Sequence, residues 1–342
     1  MKIVVLSGGI GGARFVSGLR DALADAPFAN SAADVVARDS AADVVVIGNT
    51  ADDIWLFGLR VCPDLDTLMY TLGGGIDTER GWGREHETWN AKEELAAYGV
   101  EPSWFGLGDR DIATHLVRTQ MLGAGYTLSD VTTALCARWD LGVRLLPMSD
   151  DRVETHVVID DADAEGGRRA VHFQEYWVRL QAPTAYDVVP VGATDATPAP
   201  GVLAAIAEAD LVIVPPSNPV VSVGTILAVP GIADAVRSTS ASVVGVSPII
   251  GGAPVRGMAD KLLPVIGVDV TAGAVGLHYG CRRAGGLLDA WLVDESDAAA
   301  LDALRAAGLQ ARAVPLYLSD RETSRTLARD VLDVAGSVRP AA

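Results

Sequence analysis

Four aspartates lie between Gly48 and Thr67, in a stretch whose only basic side chain is that of Arg60. They are Asp52, Asp53, Asp64 and Asp66. Like charges so close together cost free energy unless a cation neutralises them. An aspartate in the first turn of a helix can cap that helix, which would explain one of the four or at most two. Carboxylate oxygens are preferred ligands of Mg²⁺ and Ca²⁺, so we predict that at least one aspartate contacts a divalent metal or the substrate.

A glycine-rich stretch, SGGIGGAR, runs from Ser7 to Arg14 between an apolar run and a helical pattern. Unpaired amides at a helix N-terminus attract phosphate, and a Cβ would hold the phosphate away from the backbone. Arg14 stands where a dinucleotide fingerprint has its third glycine, and the GK[ST] of a P-loop is absent. The stretch therefore predicts a phosphate site at Gly8, Gly9, Gly11 and Gly12, with a plain tight connection as the alternative.

Two later loops, PPSNPVVSVG and SPIIGGAPVRG, each follow a buried apolar run. In an open α/β sheet, loops at the carboxyl ends of strands line the ligand crevice. We expect the polar groups of these loops to converge on the glycine-rich stretch and to bind a nucleotide, with Asn49 and Thr50 beside the aspartates. The groups predicted from the two loops are Ser217, Asn218, Ser247 and Gly251.

Aromatic and basic residues alternate in ERGWGREHETW and WFGLGDRD. Rings of this kind can stack on a flat ligand, and arginines beside them can hold phosphate. Such aromatic residues are more often part of the core, so this pattern is weak by itself. The residues concerned are Trp82, Trp104, Phe105, Arg80, Arg84 and Arg110.

The order of strands and helices predicts one doubly wound α/β core. KIVVL, DVVVIG, LVIV and SVVGV are continuous apolar runs, as expected of parallel strands buried on both faces. The core is predicted over residues 1–64 and 196–335, with a mixed helical and β segment inserted at about 65–195, all in a single domain. Arg168 to Leu180 is predicted as a strand of a smaller sheet, and flexible linkers are expected near residues 35 and 197.

Composition excludes several classes of protein. The 342 residues include 27 Lys plus Arg against 44 Asp plus Glu, for a formal charge of −17. Nucleic acids and anionic membranes require clustered positive charge, so neither is predicted as a partner. Three separated cysteines and an amino-terminal apolar run too short for a signal peptide predict a soluble cytoplasmic protein with reduced thiols.

Taken together, the ordered motifs resemble the 2-phospho-L-lactate transferases of coenzyme F-420 biosynthesis, and most closely their bacterial phosphoenolpyruvate transferase branch. The resemblance runs nearly end to end, which makes it far more specific than any single motif. It is carried by LSGGIGGAR, NTADD, CPDLDTLMYTLGG, GLGDRD, SDDRVETHV, PPSNPVVSVGTIL and SPIIGG.

The resemblance implies a Rossmann-like homodimer that requires Mg²⁺, for which Ca²⁺ can substitute. It implies transfer of a phosphoenolpyruvyl or 2-phospholactyl group from a guanosine diphosphate-activated donor to the ribityl hydroxyl of a deazaflavin acceptor. The products would be coenzyme F-420-0, or its dehydro form, and GMP. The residues leave open which of the two groups the donor carries, because a pocket discriminates such small differences weakly.

Carried onto this chain, the resemblance places the metal and the deazaflavin at the four aspartates, with Asp66 singled out. Mg²⁺ would be held by Asp66 and by Asp52 or Asp53, and Asp66 or Asp53 would accept the ribityl proton. The guanosine nucleotide would lie over the glycine-rich stretch and the two later loops.

Two alternatives remain. A related family with a similar glycine-rich start and SNP loop binds UDP-sugars and acts as a metabolic regulator; NTADD, PDLDT and GLGDRD favour the transferase instead. An NAD-dependent dehydrogenase is disfavoured by the broken dinucleotide fingerprint.

Overall fold

The structure, a computed structural model, describes residues 1–25 and 43–338. The linker predicted near residue 35 lies outside the described residues. The strands, numbered along the described chain, are β1 (Lys2–Ser7), β2 (Asp43–Gly48), β3 (Ile54–Leu56), β4 (Leu59–Val61), β5 (Arg144–Pro147), β6 (Glu154–Asp160), β7 (Arg168–His172), β8 (Ala185–Val191), β9 (Leu211–Val214), β10 (Ser242–Val246), β11 (Ile249–Ile250), β12 (Ala253–Pro254), β13 (Ala290–Val293) and β14 (Gln310–Ala313).

Seven of these strands form a parallel sheet in the order β14-β13-β10-β9-β1-β2-β5. From β1 the chain adds β2 and β5 on one side and β9, β10, β13 and β14 on the other. The direction of winding therefore reverses between β1 and β9, where Ile3 pairs with Leu211. A ligand crevice opens at such a reversal, outside the carboxyl ends of the strands. The predicted doubly wound, Rossmann-like fold class is confirmed.

Helices cover both faces of the sheet. They are α1 (Gly9–Asp25), α2 (Pro63–Leu72), α3 (Asn90–Ala97), α4 (Asp109–Gly123), α5 (Leu128–Cys136), α6 (Val202–Ala207), α7 (Val223–Ala228), α8 (Ile232–Ser238), α9 (Ala259–Leu262), α10 (Ala272–Tyr279), α11 (Leu301–Ala306) and α12 (Arg321–Ser337). Ile3 and Val5 of β1 face one core, built with α1, α2 and α12, whereas Val4 and Leu6 face a second core, built with α6, α7, α8 and α10. This alternation explains why β1 is apolar at every position from Ile3 to Leu6.

The segment predicted as an insertion contributes to the main sheet. Its strand β5 pairs in parallel with β2 and forms one edge of the sheet, so the segment is not wholly separate from the core. Strands β6, β7 and β8 form the smaller antiparallel sheet. The strand predicted to reach Leu180 ends at His172, and residues Glu175–Arg179 form a π-helical turn instead. The turn buries Tyr176 three residues after Phe173, which is helical rather than strand spacing.

A tight hairpin brings the two pairs of aspartates together. Strands β3 and β4 pair antiparallel, and the two residues between them, Phe57 and Gly58, both have positive φ, at 53° and 74°. This is the backbone of a type I′ turn, which matches the twist of a two-residue hairpin. The chain therefore returns after Asp53 to begin α2 at Pro63. In the described ranges, none of the helices is long and apolar enough to cross a membrane.

Candidate active site

A cleft of about 960 Å³ opens at the carboxyl ends of β1 and β9, where the winding reverses. Most of the residues predicted for a site line this cleft. They are Gly8, Gly9, Gly11, Asp52, Asp66, Ser217, Asn218 and Ser247, together with Asp64. Gly12, Asn49, Thr50, Asp53 and Gly251 do not line it, and their positions are described below.

Asp64 connects the glycine-rich stretch to the strand beside it. Its Oδ1 accepts a hydrogen bond of 2.8 Å from the amide of Gly9, and its Oδ2 accepts one of 2.9 Å from Nδ2 of Asn49. Asp64 therefore caps α1 and not its own helix α2, contrary to the simple capping explanation. Burial raises the pKa of Asp64 to about 6, although the hydrogen bonds from Asn49 and Gly9 lower it.

Asn49 is fully buried and is held from four directions. Its Nδ2 also donates to the carbonyl of Val221, and its Oδ1 accepts from the amide of Ala51 and the hydroxyl of Thr225. Each polar atom of the amide is thus used within the protein. Asn49 positions Asp64 and does not face the cleft, and Thr50 beside it is equally buried.

Asp66 is held by a polar face of α4. Arg118 donates to Oδ1 of Asp66, while Oδ2 has no hydrogen-bond partner among the described residues. Another nitrogen of Arg118 lies 2.9 Å from Nδ1 of His115, and because a guanidinium only donates, Nδ1 is the acceptor. The remaining nitrogen of His115, Nε2, lies 3.4 Å from Oδ1 of Asp111, which also accepts a hydrogen bond of 2.7 Å from Tyr70. The arrangement fixes one oxygen of Asp66 and leaves the other open.

Asp52 and Asp53 are adjacent in the chain but have different surroundings. Asp52 lines the cleft, and its buried Oδ1 has no partner within the described ranges. Asp53 is turned away from the cleft, and its Oδ2 pairs with Arg60 at 3.2 Å. The metal and proton-accepting roles predicted for Asp53 lack the contact with the cleft that they require. Asp52 shares the lining of the cleft with Asp66, whereas Asp53 does not.

The aspartates influence each other's ionisation. Burial, and then the charges of Asp64 and Asp53, raise the pKa of Asp52 well above its usual range. Burial also raises the pKa of Asp53 to about 6, opposed mainly by Arg60. Carboxyl groups with raised pKa values bind a cation readily, because the cation supplies the neutralising charge that the protein lacks.

Close packing around the glycine-rich stretch requires glycine at several positions. A Cβ on Gly8 would overlap Oδ2 of Asp64, and a Cβ on Gly11 would lie 2.5 Å from the carbonyl oxygen of Pro216. Gly12 lies behind the cleft, where a Cβ would overlap the hydroxyl of Ser7. The amide of Gly8 donates to the hydroxyl of Ser217 at 3.2 Å. Two of the predicted phosphate-binding amides are thus already bonded within the protein, and the amides that follow them in the first turn of α1 remain for a ligand.

The two later loops line the cleft, but their predicted polar side chains are bonded mainly to the backbone of their own turns. Oδ1 of Asn218 accepts from the amides of Val220 and Val221, and the hydroxyl of Ser247 bonds to both backbone groups of Ile249. Gly251 lies outside the cleft, and its amide donates to Asp297 at 2.9 Å.

One wall of the cleft is aromatic and carries positive charge. Trp82, Trp104 and Phe105 line it as predicted, and the guanidinium of Arg80 lies 5.5 Å from the ring of Trp82. Two other predicted arginines lie elsewhere: Arg84 is buried over the ring of Trp139, and Arg110 is exposed. The wall suits a flat conjugated ligand, because exposed rings can stack on it.

Sequence reasoning missed several cleft residues and the helix face behind Asp66. Asp111, His115 and Arg118 are spaced by four and three along α4, so they share one helix face. That spacing can be read from the sequence. A row of polar residues on the inward face of a helix indicates a buried hydrogen-bond network. The cleft residues that the sequence analysis did not single out are Arg14, Tyr70, Trp89 and Arg256, which lie within its motifs, and Lys92, Phe173 and Trp177, which lie outside them.

The donor set fits a divalent cation that shares its coordination with a ligand. In the part of the chain that the structure describes, no three His, Cys, Asp or Glu side chains are grouped to hold a metal by themselves. Mg²⁺ is usually held by one or two carboxylates plus substrate phosphates and water. Asp52 and Asp66, each with one oxygen that has no partner among the described residues, are the cleft carboxylates that would hold such an ion together with a ligand.

Comparison with known proteins shows close relatives along the whole chain. The family described as 2-phospho-L-lactate transferase CofD matches residues 3–334. A Streptomyces griseus subsp. griseus protein named phosphoenolpyruvate transferase is 61% identical over 340 residues, covering 99% of this chain and 100% of the relative. A protein of the same name from Thermobifida fusca is 61% identical over 337 residues, covering 98% of each chain.

Solved structures share the fold at much lower identity. A crystal structure of a Bacillus halodurans protein superposes with a TM-score of 0.61 at 17% identity, covering 97% of this chain and 99% of the other. A second structure, described as a member of the UPF0052 family from the same organism, gives a TM-score of 0.60 at 16% identity, covering 96% of this chain and 98% of the other. At these identities the likeness supports the fold alone.

Proposed function

Because the chain belongs to the 2-phospho-L-lactate transferase CofD family of transferases, we propose that it moves a phosphoenolpyruvyl group from a guanosine diphosphate-activated donor to a deazaflavin. The choice of phosphoenolpyruvyl over 2-phospholactyl rests on the names of the relatives that are about 60% identical. The acceptor is the ribityl hydroxyl of the deazaflavin precursor of coenzyme F-420, and GMP is the leaving group.

One observation carries this proposal. Asp52 and Asp66, each with one buried carboxylate oxygen that has no hydrogen-bond partner among the described residues, line a cleft that also contains the first turn of α1 and an aromatic wall. The first turn suits a diphosphate, the aromatic wall suits a flat tricyclic ring, and the carboxylates lie where the two ligands would meet. A protein that only bound a nucleotide would have no need for the stacking wall or for the open carboxylates.

In the reaction, an oxygen of the ribityl chain bonds to the phosphorus that carries the enolpyruvyl group. The bond between that phosphorus and the bridging oxygen of the diphosphate breaks, and GMP leaves with the electron pair. The hydroxyl proton passes to a carboxylate or to water. Such transfers depend on positioning and on charge neutralisation more than on covalent catalysis.

Mg²⁺ would be held by the open oxygens of Asp52 and Asp66, and when bound it would neutralise charge on the diphosphate. Arg118 holds Oδ1 of Asp66, while Oδ2 has no hydrogen-bond partner among the described residues. Asp64 and Asn49 hold the start of α1 in place for the nucleotide. Asp66 is also our candidate for the side chain that accepts the ribityl proton.

Calorimetric titration with GDP and with the deazaflavin, each with and without Mg²⁺, tests the proposal directly. We expect both to bind, with the affinity for GDP rising when Mg²⁺ is present. Asp66→Asn should still fold, with lower stability because the buried Arg118 loses its counter-charge, and should keep the deazaflavin affinity but lose most turnover and the Mg²⁺ dependence of GDP binding. Asp302→Asn, at a fully exposed position, is the matched control.

Two results would reject the proposal. One is wild-type turnover by Asp66→Asn at saturating Mg²⁺, which would remove that residue from the chemistry. The other is binding of a UDP-sugar with no binding of the deazaflavin, which would favour the regulatory alternative.

A further inference from the structure

Two arginines of the cleft are not accounted for by the nucleotide, the metal or the aromatic wall. Arg14 projects from α1 and Arg256 from the loop after β12, and both line the cleft. No carboxylate of the described chain lies within ion-pairing distance of either guanidinium. In a protein with 44 acidic and 27 basic residues, two cleft arginines without an acidic partner point to an anion supplied from outside.

Arg256 lies where three segments meet: its own loop, the loop that contains Gly81 and the start of α1 at Ile10. It lies directly over Gly81, where a Cβ would overlap its Nη1 and would come 3.7 Å from Cδ1 of Ile10. Gly81 has a φ of +77°, so glycine is favoured there by the backbone as well as by the space. The guanidinium therefore extends from its own loop to the start of α1.

Arg14 faces the same position from the helix. One of its nitrogens donates to the carbonyl oxygen of Leu318 at 2.9 Å, which fixes the orientation of the guanidinium and leaves further N–H groups available. Burial, and then the positive charge of Arg256, lower the pKa of Arg14. Arg14 follows Ile10 by four residues on the same face of α1, and Arg256 approaches that residue at Gly81, so an anion between the two cations would relieve their repulsion.

We propose that Arg14 and Arg256 form a second anion subsite, which holds the carboxylate of the three-carbon acid that the donor carries. This rests on the proposed function, since it assigns the acid end of the same donor. A guanidinium matches a planar carboxylate through two parallel hydrogen bonds, and two guanidiniums can contact both of its oxygens.

The diphosphate is a poorer occupant of this subsite than the carboxylate. Arg14 lies four residues after Ile10, whose amide is the first to follow the bonded amides of Gly8 and Gly9, which is about 6 Å along the axis of α1. The diphosphate has partners in those amides and in the metal that Asp52 and Asp66 would hold, and the other cleft cations, Arg80 and Lys92, lie over the rings of the aromatic wall. The subsite would thus fix the acid end of the donor while the phosphorus faces the acceptor.

A matched pair of small probes isolates the carboxylate. 2-Phospholactate and isopropyl phosphate have the same three-carbon skeleton, and they differ in that a methyl group replaces the carboxylate. Calorimetric titration of the full chain, with GMP present, should show tighter binding of 2-phospholactate by about tenfold or more, as expected for a charge-assisted pair. In Arg256→Gln and in Arg14→Gln the preference should fall to within about twofold, with GDP affinity unchanged.

Arg110→Gln is the control, because Arg110 is an exposed arginine outside the cleft and its loss changes the net charge equally. It should keep the preference for 2-phospholactate. The assignment is overturned if the wild-type protein does not prefer 2-phospholactate, if the Gln variants retain the preference, or if they lose GDP affinity to the same extent. A retained preference without any group transfer would support the subsite and reject the proposed function, so the two can fail separately.

Discussion

Asp64 accepts a hydrogen bond from the amide of Gly9, a residue 55 positions earlier in the chain, and so provides the N-terminal cap of α1. The same carboxylate accepts from Asn49 through its other oxygen. One aspartate therefore joins the glycine-rich stretch, the end of β2 and the start of α2. This explains part of the acidic cluster without a metal and assigns the metal-binding potential to the carboxylates that remain open.

Asp64→Asn should destabilise the protein. An amide in this position can offer an oxygen to only one of its two donors, so its NH₂ group would face either the amide of Gly9 or Nδ2 of Asn49. Leaving a buried donor unsatisfied costs about 1–3 kcal/mol. Urea denaturation should show that loss in the free energy of unfolding, and Asp302→Asn should change it by no more than about 0.5 kcal/mol. An unchanged midpoint for Asp64→Asn would mean that the cap contributes nothing to stability.

Arg118→Met should be among the most destabilising single changes in the site. Arg118 is fully buried, and its removal leaves the charge of Asp66 without its partner, which typically costs about 3–5 kcal/mol. The double variant Asp66→Asn with Arg118→Met should recover part of the loss, because the orphaned charge is gone. Urea denaturation of the wild type, both single variants and the double variant measures this coupling, and strict additivity would contradict it.

The fold could be predicted from sequence because its signals are local. The strands β1, β9 and β10 are apolar at nearly every position, and each is followed by a loop rich in glycine, proline or serine. The family and the class of enzyme were likewise predicted, because short motifs of the family occur in the same order along the chain. The end of β7 was missed because Phe173 and Tyr176 are as compatible with a strand as with a helical turn until the position of the core is known.

The details of the site depend on contacts that no local pattern contains. The pairing of Arg118 with Asp66 joins residues 52 positions apart, and nothing in either segment specifies the other. Asp52 and Asp53 are neighbours of the same type, yet the pleat of the chain turns one toward the cleft and the other toward Arg60. Sequence reasoning identified the acidic cluster but could not divide it into ligands, a cap and an ion-pair partner.

Gly11→Ala and Gly336→Ala should have opposite effects, although both glycines lie inside helices. A Cβ at Gly11 would come within 2.5 Å of the backbone of Pro216, which must then move away from the cleft. A Cβ at Gly336 meets nothing within 4 Å, so alanine there should stabilise α12 by about 0.5–1 kcal/mol. Thermal denaturation and GDP titration of both variants test this: weakened GDP binding is expected for Gly11→Ala alone.

Asp52→Asn should lose the Mg²⁺ dependence of GDP binding without losing stability. The folded-state pKa of Asp52 is raised, so its ionised form opposes folding, and this cost grows as the pH rises toward that pKa. Replacing Asp52 by a neutral isostere removes the cost, so the free energy of unfolding should equal or exceed that of the wild type, increasingly so at higher pH. Urea denaturation between about pH 5 and 8, with GDP titration in parallel, measures both effects. A variant that is less stable than the wild type, or that keeps the full Mg²⁺ dependence, would contradict this prediction.

Asp53→Asn should keep the Mg²⁺ dependence that Asp52→Asn loses, and the contrast separates a ligand from a structural partner. Asp53 is fully buried and pairs with Arg60, so its replacement leaves a buried guanidinium without its nearest counter-charge, but the raised pKa of Asp53 means that its own ionised form also opposes folding. These two effects on stability oppose each other, so the Mg²⁺ dependence, and not the free energy of unfolding, distinguishes the two variants. Because Asp53 does not line the cleft, the folded variant should keep the Mg²⁺ response and most of the turnover at low temperature. If folded Asp53→Asn were instead inactive and unresponsive to Mg²⁺, Asp53 would reach the reacting groups directly, and the assignment of Asp52 and Asp66 as the metal ligands would have to be replaced.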